Sequence, residues 1–122
     1  MLLDSFAWVE YIKGTEMGDK VRRILKENDC YTSQISLAEI SSWCERNRIE
    51  SRTYLYAMKT QTKIIPIMDD TLELSGKIHS QKRKKIKDFG LIDAIILAAA
   101  LENNLKVVTG DRHFRDENIV AL

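Results

Sequence analysis

The chain has 122 residues, a length that suits one hydrophobic core, and we expect a single domain over residues 1–122. Hydrophobic residues make up 44% and charged residues 30%, and one proline and five glycines exclude a long disordered linker. The net charge of +1 leaves a nucleic-acid partner open, because the distribution of charge matters more than its sum.

Short apolar runs alternate with longer amphipathic segments, a pattern typical of α/β folds with a parallel sheet. Met1 to Leu3 is the first predicted strand, and Ser5 is a candidate cap for a helix over Phe6 to Lys13 that Gly14 ends. The next predicted elements are a helix from Glu16 to Glu27, a strand from Cys30 to Ser33, a helix from Ser36 to about Arg48 and a helix from Ser51 to about Thr62.

The second half of the chain continues the same alternation. Ile64 to Ile67 is the third predicted strand, and Pro66 favours an edge position or a short strand. The remaining predicted elements are a helix that opens at Asp70 and ends in a basic run, an apolar helix from Leu91 to Asn103, a strand from Leu105 to Val108 and a candidate last strand from Asn118 to Ala121.

The compartment is predicted from the same composition. Asp4 and Glu10 interrupt the first ten residues, unlike a signal peptide, and no apolar run approaches the roughly 20 residues that a membrane span needs. Cys30 and Cys44 lack metal-ligand spacing, and we interpret them as reduced core thiols. We therefore expect a cytoplasmic protein that does not contact a membrane.

Three acidic residues follow predicted strands. Asp4 follows the first strand, Glu39 lies in the first turn of the helix after the second, and Asp111 follows the fourth. Because an open parallel sheet binds ligands beyond the carboxyl ends of its strands, we expect the three side chains at one edge.

Asp93 stands alone in an otherwise apolar helix segment, Leu91 to Leu101. A helix that is apolar on nearly all sides is buried, and a buried carboxylate costs several kcal/mol unless it is paired, hydrogen-bonded or bound to a metal. The alternative is an acid of the first helical turn, placed there by the helix dipole.

The other acids also have ordinary structural interpretations. Asp4 is a candidate helix cap, Ser36 and Glu39 have the spacing of a capping box, and Gly110 with Asp111 suits a turn. If the acids converge, they repel one another unless a cation lies among them. Oxygen ligands of this kind favour Mg²⁺ or Mn²⁺.

Four segments in the same order resemble the PIN-domain pattern: Leu3 to Ser5, Ser33 to Glu39, Leu91 to Ala100 and Val108 to Phe114. The resemblance spans almost the whole chain. It implies a three-layer α/β/α sandwich with a central parallel sheet of four to five strands. It also implies that Asp4, Glu39, Asp93 and Asp111 are the catalytic and metal-binding residues.

The function that the resemblance implies is Mg²⁺- or Mn²⁺-dependent cleavage of single-stranded or loop RNA. Small members of the family are often VapC-type toxins, which form homodimers and are held inactive by a small antitoxin protein. In this interpretation Asp4 and Asp93 hold the main metal, Glu39 and Asp111 complete the cluster, and an activated water cuts the phosphodiester.

The fourth segment departs from the family pattern. Many relatives place an Asp just before its final Phe, where this chain has His113. Asp111 is the candidate fourth acid, with Asp116 in reserve. His113 either contacts phosphate or is an ordinary turn residue.

A basic run precedes the Asp93 helix and suggests contact with the RNA backbone. The candidate RNA-binding residues are Ser36, Lys82, Arg83, Lys84, Lys85 and Arg112. The alternative is a solvated helix end whose lysines suit the negative end of the helix dipole.

Two other functions fit parts of the sequence. A response-regulator receiver has similar length and class, but it needs an acidic pair after strand one, where Asp4 stands alone. A catalytically weak or inactive PIN-fold module for RNA binding or processing is the closer alternative. Mg²⁺-dependent RNA cleavage separates such a module from a nuclease.

Overall fold

The computed structural model describes residues 1–114 and 117–122. Its strands are β1 (Leu2–Leu3), β2 (Tyr31–Ser33), β3 (Lys63–Ile65), β4 (Val107–Thr109) and β5 (Ile119–Ala121). Its helices are α1 (Ser5–Lys13), α2 (Glu16–Glu27), α3 (Gln34–Arg46), α4 (Ser51–Gln61), α5 (Asp69–Lys82) and α6 (Leu91–Glu102), with a 3₁₀ turn at Arg112–Phe114. The candidate acid Asp116 lies outside the described residues.

Within the described residues, five parallel strands form one sheet in the order β3-β2-β1-β4-β5. This confirms the predicted α/β class and places the short strand before Pro66 at an edge. The chain leaves β1 towards β2 on one side and returns to β4 on the other. Asp4 therefore follows the strand at the topological switch point, where open α/β sheets bind ligands. The order also differs from the β2-β1-β3-β4-β5 order of receivers.

The sheet separates two cores, as the predicted three-layer sandwich requires. Leu2 and Val107 face a core built with α6 and Phe114, whereas Leu3 and Val108 face one built with α1 to α4. Adjacent residues of a strand point to opposite faces. Both faces are covered, and the central strands β1 and β4 are accordingly buried along their whole length.

The helix starts correct two local predictions. Asp4, and not Ser5, caps α1: its carboxylate accepts the Ala7 N–H at 2.8 Å. The predicted capping box of Ser36 and Glu39 is wrong, because α3 begins two residues before Ser36. Ser36 lies inside the first turn with its side chain buried, where it cannot act as the cap.

Cys30 and Cys44 are both buried and unpaired within the part of the chain described. Burial raises the pKa of both thiols above its ordinary value. Since the thiolate is the reactive form, these side chains act as small core residues.

Over residues 1–114 and 117–122, no helix combines the length and the apolarity that a bilayer crossing requires.

Close packing of α1 on α2 depends on Gly18. A Cβ at this position would lie 2.3 Å from the backbone oxygen of Glu10. No side-chain rotation relieves a clash with backbone, so the two helices would have to move apart. Gly76 in α5, by contrast, has nothing within 4 Å of a built Cβ.

We expect Gly18→Ala to lower the free energy of unfolding by roughly 2–4 kcal/mol, because it overpacks a backbone contact. The matched variant Gly76→Ala should raise it by up to about 1 kcal/mol through helix propensity. Urea unfolding followed by circular dichroism measures both. Equal effects of the two variants would contradict the α1–α2 contact.

Candidate metal centre at the sheet edge

Four elements bring the predicted acids to the carboxyl edge of the sheet. Asp4 lies between β1 and α1, and Glu39 lies on α3, which follows β2 directly. Asp93 lies in the first turn of α6, and Asp111 lies two residues beyond the end of β4. The charges of these groups influence one another's pKa values, as expected for carboxylates that share one site.

Asp4 is the most deeply buried of the four, with only 3% of its surface exposed. Burial raises the pKa of its carboxyl to about 7, and the charges of Asp93 and Asp111 raise it further. Hydrogen bonds from the Thr109 hydroxyl and the Ala7 N–H oppose this rise. The two hydrogen bonds fix the position of the Asp4 carboxylate, but they do not offset the cost of burying its negative charge.

Asp93 meets both interpretations of its sequence context, since it is partly buried and lies in the first helical turn. Burial raises the pKa of its carboxyl to about 6, and the charges of Asp111 and Glu39 add to the rise. His113 and the N–H of Gly90 lower it. The charge state of Asp93 therefore depends on acids from two other parts of the chain, Glu39 and Asp111.

Glu39 reaches the site from α3, where the Ser5 hydroxyl donates to its Oε1 at 2.5 Å. Burial raises the pKa of Glu39, and this hydrogen bond lowers it. The partner that the sequence suggested, Ser36, makes no such contact. Within the described segments, the buried hydroxyls of Ser33 and Ser36 have no hydrogen-bond partner.

The loop after β4 positions Asp111. Its N–H donates to the Thr109 Oγ1 at 2.9 Å, and its Oδ1 accepts the His113 N–H at 2.9 Å. A Cβ at the preceding Gly110 would lie 2.4 Å from the Phe6 ring of α1, so a larger residue there would displace that ring. The turn that the sequence indicated therefore also fixes the direction of a candidate ligand.

His113, which the sequence left as either a phosphate contact or an ordinary turn residue, belongs to the same site. One ligand atom each from Asp93, Asp111 and His113 lie within 4.8 Å of one another. Asp4 and Glu39 lie outside this group. The imidazole Nε2 is 3.2 Å from the Oδ1 of Asp88, a residue that sequence reasoning missed. No sequence signal identified Asp88, which follows a basic run in an exposed loop.

The donor set fits a divalent cation. Carboxylate oxygens dominate it, two of its pKa values are raised to about 7 and about 6, and part of each rise comes from neighbouring acids. A bound cation would remove that repulsion. Asp93 and Asp111 would bind the cation directly, and the charges of Asp4 and Glu39 would interact with it from nearby.

The basic run is placed differently from the acids. Lys82 forms an ion pair with Glu117, and with Lys85 it lines a groove of about 530 Å³ that includes Leu97 and Leu101. These leucines lie about 6 and 12 Å along α6 from Asp93, at 1.5 Å per residue. The RNA-contact role of Lys82, Arg83, Lys84, Lys85, Arg112 and Ser36 stays a prediction.

An α/β/α sandwich with carboxylates grouped at the switch point of a parallel sheet is the architecture of PIN domains. The PIN domain profile matches residues 1–118, and the chain belongs to this family. The predicted family is thereby confirmed. Curated protein sequences give no match.

Solved structures share the fold at low sequence identity. A toxin-antitoxin complex from Klebsiella pneumoniae contains a chain that matches with a TM-score of 0.78 and 23% identity, covering 98% of this chain and 95% of that one. A chain of VapBC2 from Rickettsia felis, bound to a promoter DNA fragment, matches with a TM-score of 0.74 and 19% identity, and the match covers 99% of this chain and 96% of that one. VapC20 from Mycobacterium tuberculosis, a sarcin-ricin loop cleaving toxin, matches with a TM-score of 0.73 and 15% identity, and the match covers 99% of this chain and 97% of that one.

The raised pKa of Asp4 predicts a pH-dependent stability in metal-free protein. Its folded-state value is about 7 and its ordinary value is 3.8, so the folded state holds an extra proton between these limits. Stability should therefore fall as the pH rises through this window. Asp4→Asn removes the charge but keeps an N-cap acceptor.

We expect Asp4→Asn to match the wild type near pH 4 and to exceed its unfolding free energy near pH 8 by roughly 2–4 kcal/mol. Urea titrations in EDTA across this range measure the difference. Asp70→Asn, on the exposed start of α5, is the control and should follow the wild-type profile. A pH-independent difference for Asp4→Asn would show that its charge is already compensated.

Proposed function

We propose that the protein is a Mg²⁺- or Mn²⁺-dependent endoribonuclease, the toxin of a toxin–antitoxin pair. The observation that carries the proposal is the convergence of Asp4, Glu39, Asp93 and Asp111, from four separate elements, on one edge of the sheet. Family membership adds support, since the chain shares its fold with VapC20, a sarcin-ricin loop cleaving toxin.

In this proposal each acid has a distinct task. Asp93 and Asp111, whose ligand atoms lie within 4.8 Å of each other, provide the main oxygen ligands. Asp4, which accepts hydrogen bonds from the Ala7 N–H and the Thr109 hydroxyl, contributes charge from a fixed position. Glu39, oriented by Ser5, faces Asp93 from α3 and is placed to accept a proton from a water molecule.

When bound, Mg²⁺ or Mn²⁺ supplies the positive charge that lowers the pKa of water and polarises the phosphodiester. Hydrolysis adds water at phosphorus and breaks the bond to the 3′ oxygen, which leaves a 5′-phosphate and a 3′-hydroxyl. The acids that follow β1 and β4 and those on α3 and α6 together provide the negative charge that holds the cation. No side-chain nucleophile is needed.

The partners proposed are RNA, a small antitoxin protein and a second copy of the chain in the cytoplasm. The structural neighbours include VapBC complexes bound to DNA, which supports an antitoxin partner. Met68, Leu72 and Leu91 are large hydrophobic side chains that are about half exposed or more. Such side chains support protein–protein contact, and light scattering of the purified chain tests for the homodimer.

The alternative function is a catalytically weak or inactive module that binds or processes RNA. One observation favours it: His113 occupies the position where many relatives have an acid. Purified protein that binds RNA but does not cut it with either Mg²⁺ or Mn²⁺ would establish this alternative.

We expect Asp93→Asn and Asp4→Asn to reduce RNA cleavage at least about a hundredfold, because each removes negative charge that holds the divalent cation in the site. EDTA should abolish cleavage by the wild type, and Mg²⁺ or Mn²⁺ should restore it. Gel assays on a structured RNA, with sequencing of the 5′-phosphate ends, measure the rates.

Asp70→Asn serves as the control in the same assays and should keep the wild-type rate. Thermal unfolding of each variant checks that the fold is retained. Folded Asp93→Asn and Asp4→Asn proteins that cut at the wild-type rate would rule out the proposed centre.

A further inference from the structure

The imidazole of His113 has contacts on the side of its ring that is opposite to Asp111. Its Nε2 lies 3.2 Å from the Oδ1 of Asp88, and its ring packs edge-on against Phe89 with centroids 6.4 Å apart. Phe89 is itself fully buried and packs against Phe114. The buried aromatic pair therefore orients the imidazole, and the exposed carboxylate of Asp88 lies beside its Nε2.

The other ring nitrogen faces the acid cluster. Nδ1 lies 3.5 Å from the Oδ1 of Asp111. A proton on Nε2 shared with Asp88 leaves the lone pair of Nδ1 directed towards Asp111. Histidine ligands of metals commonly have this arrangement, in which the second nitrogen donates to a carboxylate that fixes the tautomer.

The distances agree with a shared ion. Three ligand atoms at about 2.2 Å from one metal ion cannot all be more than about 3.8 Å apart. The ligand atoms of Asp93, Asp111 and His113 all lie within 4.8 Å of one another. Side-chain shifts of up to about 1 Å would therefore bring the three atoms onto one ion.

We infer that His113 binds the catalytic metal ion through Nδ1, so that the site selects first-row transition metal ions over Mg²⁺. This inference rests on the metal centre of the proposed function and goes beyond it. Imidazole nitrogen favours transition ions, whereas a site of oxygens alone suits Mg²⁺. Asp88 is then a positioning residue that acts through His113.

The same contacts permit a competing arrangement. A doubly protonated His113 would bridge Asp88 and Asp111 as a counter-ion and would not bind metal. The two arrangements differ in a direct spectroscopic property, because only a ligated nitrogen couples magnetically to a paramagnetic ion. Mn²⁺ provides such a probe.

The first experiment is pulsed electron paramagnetic resonance of Mn²⁺ bound to the wild-type protein. The chain has two histidines, His79 and His113, so the origin of a nitrogen signal can be assigned. We expect a ¹⁴N modulation that changes to that of ¹⁵N when histidine alone is labelled. It should persist in the control His79→Gln and vanish in His113→Gln.

The second experiment is calorimetric titration with Mg²⁺, Mn²⁺ and Co²⁺ separately. We expect His113→Gln to weaken Mn²⁺ and Co²⁺ binding at least about tenfold and Mg²⁺ binding less than about threefold. Asp88→Asn should weaken Co²⁺ binding by about tenfold, the lower end of the usual effect of an outer carboxylate. His79→Gln should leave all three affinities unchanged.

The outcomes separate this inference from the proposed function. Mn²⁺ that binds in an Asp93-dependent manner without a ¹⁴N modulation overturns the role of His113 and leaves the nuclease proposal intact. Wild-type protein that shows no Asp93-dependent Mn²⁺ binding overturns both. The spectrum of the wild type decides the question even if His113→Gln fails to fold.

Discussion

The carboxylate of Asp4 connects the fold of this protein to its site. The residue ends the central strand and caps α1 through the Ala7 N–H, so the direction of the helix and the position of the charge depend on one side chain. Its burial at the switch point also makes that charge costly, which is why the pKa rises to about 7. The capping hydrogen bond thus favours the charged carboxylate of Asp4, whereas its burial opposes the same charge.

The rest of the site follows from this constraint. Thr109 donates to Asp4 and accepts the N–H of Asp111, so two acids from neighbouring strands share one hydroxyl. Gly110 lets α1 approach this loop, since any side chain would meet Phe6. The acids are held together by backbone geometry despite their mutual repulsion. A fold that keeps carboxylates so close is suited to binding a cation.

The chain belongs to the PIN family, and the surroundings of His113 give its site a further nitrogen donor besides the acids. The imidazole lies between an exposed acid, Asp88, and the clustered Asp93 and Asp111. An acid at that position would have added to the repulsion, whereas the imidazole can offer a lone pair or a positive charge. The chemistry of the site therefore depends on a substitution that retains the fold.

The sequence by itself determined the α/β class, the order of elements and three of the strand ends that carry acids, because periodicity, turn residues and apolar runs act over a few neighbouring positions. It also marked Asp93, since a lone acid in an apolar helix is visible without a structure. The structure selected Asp4 over Ser5 as the cap, and it alone decided that Glu39 accepts a hydrogen bond from Ser5 and that Asp88 lies beside His113. The contacts of Glu39 and His113 join residues 25 to 34 positions apart, and packing, not local preference, selects such partners.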